Sequence, residues 1–134
     1  MSDPNDPSAW IAKAENDLLN IRNNLASAST PWDTVCYHAQ QAAEKMLKAF
    51  LVSRGRAPAP VHDLVAILSD CAALDRALAK LEPECRLLAR YATRARYPAR
   101  GMEPAAAEGQ AAFAAAQKIR GAILPLLAFR GGST

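Results

Sequence analysis

The chain alternates between long stretches in which apolar residues recur every three or four positions and short stretches rich in proline, glycine and polar residues. Apolar residues at that spacing mark one face of an α-helix, whereas a half-buried strand alternates with a period of two. No run of β-branched residues alternates with polar ones, and the helix-favouring residues Ala and Leu are abundant. The pattern predicts an all-α fold.

The first predicted helix runs from about Pro7 to Ala26. Asp6 is a good N-cap, because its carboxylate can accept a hydrogen bond from a backbone N–H of the first turn, and proline is favoured at the next position. A Ser-Ala-Ser stretch over 27–29 then interrupts the pattern. The apolar positions that define this helix are Trp10, Ala14, Leu18, Ile21 and Leu25.

The second helix has the strongest boundary signals. Thr30 is predicted as its cap and Pro31 as its first helical residue, with Asp33 in the first turn, where a negative charge is favourable. The helix is expected to end near Arg54 and Gly55, since glycine commonly follows a helix C-terminus.

The second half of the chain contains shorter elements separated by proline. Residues 55–60 hold two prolines and a glycine and are expected to form an irregular connection. The sequence then predicts a third helix from near His62, a short helix over 72–81, a helix from Pro83 to Arg90 or Arg94, a loop over 97–102 and a last helix from 103–104 with a kink at Pro125. We expect one domain over residues 1–134, with a flexible start (1–6) and a flexible tail (130–134).

The second helix carries two different faces. At about 100° per residue, its small and apolar residues fall in one arc and its polar residues fill much of the other. We therefore expect the polar residues to lie together on the flank that is turned away from the hydrophobic interior. The apolar arc contains Val35, Ala39, Ala42, Ala43, Met46, Ala49 and Phe50, and the polar set contains Tyr37, His38, Gln41, Glu44, Lys45 and Lys48.

The positive charge of the chain is concentrated in one stretch. The formal net charge is +3, yet five arginines lie between residues 86 and 102 with no acid among them, and without these five, 11 basic residues stand against 13 acidic ones. Dense guanidinium groups favour a phosphate-bearing partner. The five are Arg86, Arg90, Arg94, Arg96 and Arg100, and Tyr91 and Tyr97 add aromatic faces suited to stacking on a base.

Several other classes of protein are disfavoured. Cys36, Cys71 and Cys85 have apolar neighbours and no Cys-x-x-Cys spacing, which indicates reduced core thiols rather than disulfides or a zinc site. No cofactor or metal is predicted, because the chain has no glycine-rich phosphate loop, nucleophilic triad or cluster of metal ligands. It also has no apolar span of about 18 residues and no signal-like start, so a cytoplasmic location is expected.

Three motifs occur in an order and at a spacing that resemble the HEPN domain family, over roughly residues 10–127. The first lies on the second predicted helix, the second follows the proline-containing loop, and the third precedes the last helix. They are His38-x-x-Gln41-x-x-Glu44-Lys45-x-Leu47-Lys48, His62-Asp63-Leu64 and Arg96-Tyr97-Pro98.

The resemblance implies an up-and-down bundle of about five helices and frequent homodimerisation. It also implies a role in nucleotide binding and pairing with a separate minimal nucleotidyltransferase, often as a two-gene toxin–antitoxin module. A homodimer and such a partner are therefore expected.

The sequence departs from the family pattern in one respect. Several HEPN proteins are metal-independent RNases whose active site is an Arg followed about four to six residues later by His. Here the only histidines, His38 and His62, precede the arginine-rich stretch, so that spacing is absent. An always-protonated arginine is a poor acid or base in place of histidine. An RNase toxin with an altered active site is therefore kept only as an alternative.

The candidate ligand-binding residues on the second helix are His38, Gln41, Lys45 and Lys48. They follow one another along one edge at spacings of three, four and three, where they can converge on an anion and a base edge. The alternative is that Glu44 pairs with Lys48 and that the whole stripe is a solvated or dimer-facing surface.

The remaining candidates lie further along the chain. His62 either shares a pocket with the second helix or bonds to local backbone, while Asp63 favours the start of the third helix. Arg90, Arg94, Arg96 and Tyr97 are candidates for contacts to phosphate and base. The alternative is that Arg86 and Arg90 pair with Glu82, Glu84 or the acids of a partner chain, and that Arg96-Tyr97-Pro98 holds a loop corner. We expect a domain that binds a nucleotide, RNA phosphate or a nucleotidyltransferase, with a purely structural subunit as a further alternative.

Overall fold

The structure, a computed structural model, describes residues 3–92 and 104–132, with side chains up to residue 127. Within these ranges it contains five α-helices, one short 3-10 helix and no strand, so the predicted all-α fold is confirmed. None of the described helices is long and apolar enough to cross a membrane. In chain order the elements are α1 (Pro7–Leu25), α2 (Trp32–Ser53), α3 (Leu64–Leu74), the 3-10 helix (Arg76–Leu81), α4 (Glu82–Ala89) and α5 (Ala106–Gly132).

The start of α1 follows the prediction, and the start of α2 does not. Asp6 caps α1 by accepting a hydrogen bond from the backbone N–H of Ser8 at 2.9 Å. At α2 the cap position is Pro31, which provides no side-chain acceptor, and Thr30 instead donates its hydroxyl to the carbonyl oxygen of Asn24 at 3.2 Å. Thr30 thus closes the end of α1, and its predicted role as the cap of α2 is wrong.

The end of α2 is a Schellman motif that depends on glycine at position 55. Gly55 has a φ of +76°, a left-handed conformation that glycine adopts without a steric penalty. Its N–H donates to the carbonyl oxygen of Val52 at 3.0 Å, and the N–H of Arg56 donates to that of Leu51 at 2.9 Å. The chain therefore leaves α2 at the predicted place, with the backbone of Arg56 held against the last turn.

Boundaries in the second half differ from the prediction in several places. α3 begins at Leu64, two residues after His62, because the carboxylate of Asp63 accepts from two backbone N–H groups and caps the helix. The segment predicted as one helix over 72–81 is divided between the end of α3 and the 3-10 helix. The helix predicted from Pro83 is α4, which begins one residue earlier, at Glu82, and ends at Ala89.

Regular or turn structure is present at both ends of the described chain. Residues 3–6 form a turn in which the N–H of Asp6 donates to the carbonyl oxygen of Asp3 at 2.9 Å. At the other end, α5 continues through Pro125 as far as Gly132.

α2 is the centre of the molecule. α1, α3, α4 and α5 all pack against it, and 14 of its 22 residues are buried. Every residue of the predicted apolar arc is among them. Because α2 is surrounded in this way, some of its polar side chains are also buried and need partners within the chain.

The first turns of α5 pack on the beginning of α2. Gly109 is buried, and a Cβ atom at this position would overlap the ring of Trp32. One residue earlier, Glu108 accepts a hydrogen bond from the hydroxyl of Tyr91, which is 1% exposed. These contacts position α5 against α2 and the segment that follows α4.

The three cysteines are buried, reduced thiols, as their apolar neighbours indicate. The thiol of Cys71 donates to the carbonyl oxygen of Leu47 at 3.5 Å. Burial raises the pKa of Cys71 and of Cys85 to about 12. Both thiols therefore stay protonated at neutral pH and act as small core residues.

Candidate functional site

The polar side of α2 is largely covered by other parts of the chain. Gln40 is fully buried, and Glu44 and Lys48 are each only 5% exposed. Residues 37–48 lie within one continuous helix, as predicted. The expectation that the polar set faces away from the interior is met only in part, because α1 and the loop before α3 cover that flank where Glu44 and Lys48 lie, while the other four residues of the set stay partly exposed.

On the side of α1, one carboxylate holds two of the candidate residues. Asp17 has a side chain that is 10% exposed, and it accepts from Nδ1 of His38 and from Nζ of Lys45, each 2.7 Å away. Both donors keep 24% of their side-chain surface exposed. The ring of Tyr37 meets that of His38 edge-on, with ring centroids 5.6 Å apart. This Asp17 cluster ties α1 to α2.

On the side of the α2–α3 loop, Glu44 is the centre of a second cluster. Its carboxylate accepts from Nζ of Lys48 at 2.9 Å and from Nδ1 of His62 at 2.9 Å. Nε2 of Gln40 donates to the same carboxylate at 3.2 Å and to the carbonyl oxygen of His62 at 3.3 Å. Nε2 of Gln41 donates to Oε1 of Gln40 at 2.7 Å.

The Glu44 cluster decides between two alternatives that the sequence left open. The pair between Glu44 and Lys48 is present, but each side chain is 7% exposed, so the pair is buried rather than solvated. The ring of His62 bonds to Glu44 instead of local backbone, and Asp63 alone caps α3.

The predicted stripe is thus divided between two carboxylates. His38 and Lys45 belong to the Asp17 cluster, whereas Lys48 and His62 belong to the Glu44 cluster. Lys48 and His62 therefore lie together at Glu44. Lys45 and Lys48, in contrast, contact different carboxylates and do not form one anion-binding site.

Sequence reasoning missed Asp17 and Gln40. Asp17 follows Ala14 by three positions and precedes Ile21 by four, so it lies on the apolar face of α1, where both neighbours are fully buried. An acid on a buried face requires a partner, and that signal was available in the sequence. Gln40 carries the same signal on α2, because it follows Cys36 by four positions and precedes Ala43 by three, and both of these residues are fully buried.

A groove of about 450 Å³ opens beside the Glu44 cluster, and we call it the Trp10 groove. Nε1 of Trp10 donates to the carbonyl oxygen of Pro4 at 2.9 Å, which holds the segment before α1 at its edge. The groove is lined by Pro4, Asn5, Trp10, Lys48, Ala57, Pro58, Ala59, Pro60 and His62.

Two side chains give the Trp10 groove its chemistry. His62 keeps 64% of its side-chain surface exposed, and because Nδ1 is directed at Glu44, Nε2 is the ring nitrogen that a ligand can reach. The ammonium group of Lys48 lies 5.8 Å from the centroid of the Trp10 ring, within the range of a cation–π contact. The groove therefore combines an aromatic ring, an exposed imidazole and a lining that contains three prolines.

The two carboxylate clusters are poorly suited to a metal cation. Each combines one acid and one histidine with a lysine, whose ammonium group repels a cation. Among the residues that the structure describes, no group of three or more His, Cys, Asp or Glu side chains could hold a metal ion.

The arginine-rich stretch is described only in part. Arg86 pairs with Glu82 at 2.6 Å on the surface, which is the acid pairing that the sequence offered as an alternative. Arg90 is exposed at the C-cap of α4, and Tyr91 is too buried to offer its ring to a base. The candidates Arg94, Arg96, Tyr97 and Arg100 lie outside the described residues.

Comparison with known proteins gives one match. The family model for the HEPN domain matches residues 7–125, a span that includes both carboxylate clusters and most of the Trp10 groove. No curated protein and no solved structure matches the chain. Since the family model covers most of its length, and the fold is the expected helical bundle, the chain belongs to the HEPN domain family.

Proposed function

We propose that this HEPN domain binds a nucleotide in the Trp10 groove. One observation carries the proposal: an indole ring suited to stacking on a base lines the same groove as an exposed imidazole suited to a phosphate. The groove volume of about 450 Å³ lies within the range of about 300–1,000 Å³ that is typical of small-molecule sites. Family membership supports this role, since HEPN domains are generally related to nucleotides or RNA.

The charges around the groove predict a modest affinity that depends on histidine. Glu44 neutralises Lys48 at 2.9 Å, so these two groups add little net charge. Protonation of His62 gives the three groups one net positive charge, and its Nε2–H can then donate to a phosphate oxygen. We expect stacking on Trp10 to supply most of the binding free energy and His62 to select for a phosphate.

Tryptophan fluorescence tests the nucleotide site. The chain has two tryptophans, so Trp32→Phe leaves Trp10 as the single reporter. AMP is expected to quench its emission, and His62→Ala should weaken AMP binding by about threefold to tenfold, the effect of one exposed charge-assisted hydrogen bond. The matched control is His38→Ala, which removes an imidazole from the Asp17 cluster and should leave AMP affinity unchanged.

Calorimetric titration of the unaltered chain with AMP gives the same test without a substitution. Neither heat nor quenching at millimolar AMP would contradict the proposal. Equal loss of affinity in the His38 and His62 variants would also contradict it, because His38 does not line the groove.

A second function, as an interaction domain, has separate support. The donors of both clusters already have carboxylate partners within the chain, which suits residues that hold a scaffold together. HEPN domains often form dimers. We therefore also propose a homodimer that associates with a minimal nucleotidyltransferase in a toxin–antitoxin module. Light scattering and co-purification with a nucleotidyltransferase from a neighbouring gene test this, and a monomer that elutes apart from that protein contradicts it.

A further inference from the structure

A second groove, of about 260 Å³, lies next to the Trp10 groove at the α2–α3 loop, and we call it the Arg56 groove. Ala57 lines both grooves, so we expect a ligand that extends out of the first one past this residue to reach the second. The Arg56 groove is lined by Leu51, Arg56, Ala57, Asp70 and Ala73.

The position of Arg56 is set by the end of α2. Its N–H donates to the carbonyl oxygen of Leu51 at 2.9 Å as part of the Schellman motif, and Leu51 itself lines the groove. The left-handed conformation of Gly55 directs the chain into this arrangement. The backbone that carries the guanidinium is therefore fixed before any ligand binds, which reduces the entropy that binding must overcome.

Arg56 differs in its charge environment from the basic residues of the two clusters. It is exposed, and no residue in the described part of the chain forms an ion pair with it. Lys45 and Lys48, in contrast, are each within 2.9 Å of a carboxylate. Asp70 lines the same groove but does not pair with Arg56. An unpaired guanidinium at a groove can hold two phosphate oxygens in a fork.

We propose that Arg56 forms a second subsite, which binds a further phosphate of the nucleotide held in the Trp10 groove. This inference rests on the proposed function and specifies the ligand. The ligand carries a phosphate beyond the first, either in a nucleoside polyphosphate or in the next link of an oligonucleotide. Asp70 opposes an anion in the same groove and so limits the affinity.

Calorimetric titrations with AMP, ATP and the dinucleotide pApA separate the two subsites. The unaltered protein should bind ATP or pApA about fivefold to twentyfold more tightly than AMP, the range expected for one exposed phosphate–arginine contact. Arg56→Ala should remove that advantage and change AMP affinity by less than about twofold. Asp70→Asn should raise the affinity for the same extended ligand. The matched control is Arg76→Ala, which removes an equal charge at a residue that lines neither groove.

Salt dependence provides a second measurement. An exposed phosphate–arginine contact is screened by salt, so it weakens as the ionic strength rises. Arg56→Ala should therefore make the affinity for pApA less dependent on salt concentration, whereas Arg76→Ala should leave that dependence close to that of the unaltered protein.

The two proposals fail in different ways. AMP that does not bind overturns the Trp10 groove and the subsite with it. AMP that binds, together with an Arg56→Ala variant that keeps the full affinity for ATP and pApA, overturns the subsite alone. Tighter binding of ATP supports a polyphosphate ligand, and tighter binding of pApA supports an oligonucleotide.

Discussion

At the scale of single residues, two acids determine how the polar side chains of α2 are arranged. Asp17 and Glu44 have side chains that are 10% and 7% exposed, and each holds one histidine and one lysine. Removing the partner of a buried charge is unfavourable, so these donors are tied to the fold. Of the four, His62 alone remains mostly exposed, which is why the proposed ligand contact falls on it.

Replacing Glu44 by Gln should destabilise the protein far more than the same change in an exposed pair. Lys48 would remain buried without its carboxylate, so we expect the free energy of unfolding to fall by about 3 kcal/mol. Glu82→Gln is the matched control. Glu82 also pairs with a basic residue four positions later, Arg86, but both of these side chains are at least half exposed. Its effect should stay below about 1 kcal/mol. Urea denaturation at pH 7 measures both, and equal losses would contradict the prediction.

The buried thiols should make stability fall above about pH 9. Burial raises the pKa of Cys71 and Cys85 to about 12, against about 8.5 in an unfolded chain. Their folded pKa is raised, so their contribution is complete below the unfolded pKa and is lost as pH rises towards the folded pKa, because only the unfolded state releases protons in that interval. Each thiol should contribute a slope of about −1.4 kcal/mol per pH unit.

Urea denaturation at pH 8, 9 and 10 measures this dependence. Cys71→Ala lowers stability at every pH by creating a cavity, but it should also make the decrease between pH 9 and 10 shallower by about 1 kcal/mol per pH unit. A variant with an unchanged slope would show that Cys71 titrates as an exposed thiol.

At the scale of elements, the contact between α2 and α5 depends on a missing side chain. Gly109→Ala places a Cβ atom in the ring of Trp32, so the free energy of unfolding should fall by about 1–3 kcal/mol. Gly121→Ala is the control in the same helix, since a Cβ atom there has no neighbour within 4 Å. That variant should gain up to about 1 kcal/mol, because alanine is the better helix former. Thermal unfolding followed by circular dichroism compares them, and a gain in both would mean that the ring moves aside freely.

The elements could be predicted from the sequence because their signals are local. Helical periodicity, together with Pro7 and Gly55, placed the ends of α1 and α2 within one or two residues. The pairing of Asp17 with His38 joins residues 21 positions apart, and it depends on how α1 packs against α2. The Trp10 groove likewise combines the start of α1 with the α2–α3 loop. No local pattern encodes such packing, so the division of the polar stripe could not be predicted.

At the scale of the whole molecule, an ion pair joins the first and last helices across 105 positions of sequence. Arg120 donates from Nε to Oε1 of Glu15 at 2.9 Å and from Nη2 to Oε2 at 2.8 Å. This fork geometry is the stronger form of a salt bridge. The hydrogen bond from Arg120 lowers the pKa of Glu15 below its usual value.

Glu15→Gln should reduce stability in a manner that depends on pH. At pH 7 we expect a loss of less than about 1 kcal/mol, because both side chains are more than a third exposed and the pair is screened by solvent. The folded pKa of Glu15 is lowered, so its contribution is present above the unfolded pKa of about 4.3 and is lost as pH falls through the folded pKa. Denaturation curves of the variant and the unaltered chain should therefore converge in acid, and a gap that persisted there would contradict the role of the charge.

The hydrogen bond from Trp10 to Pro4 matters for how the protein is handled in the laboratory. Because it makes the residues ahead of α1 part of the groove edge, an affinity tag or a fluorescent protein fused before Pro4 would lie close to the proposed nucleotide site. Affinities measured on such a fusion would report on the attached sequence as well as on the domain. Removing the tag by proteolysis before titration separates the two.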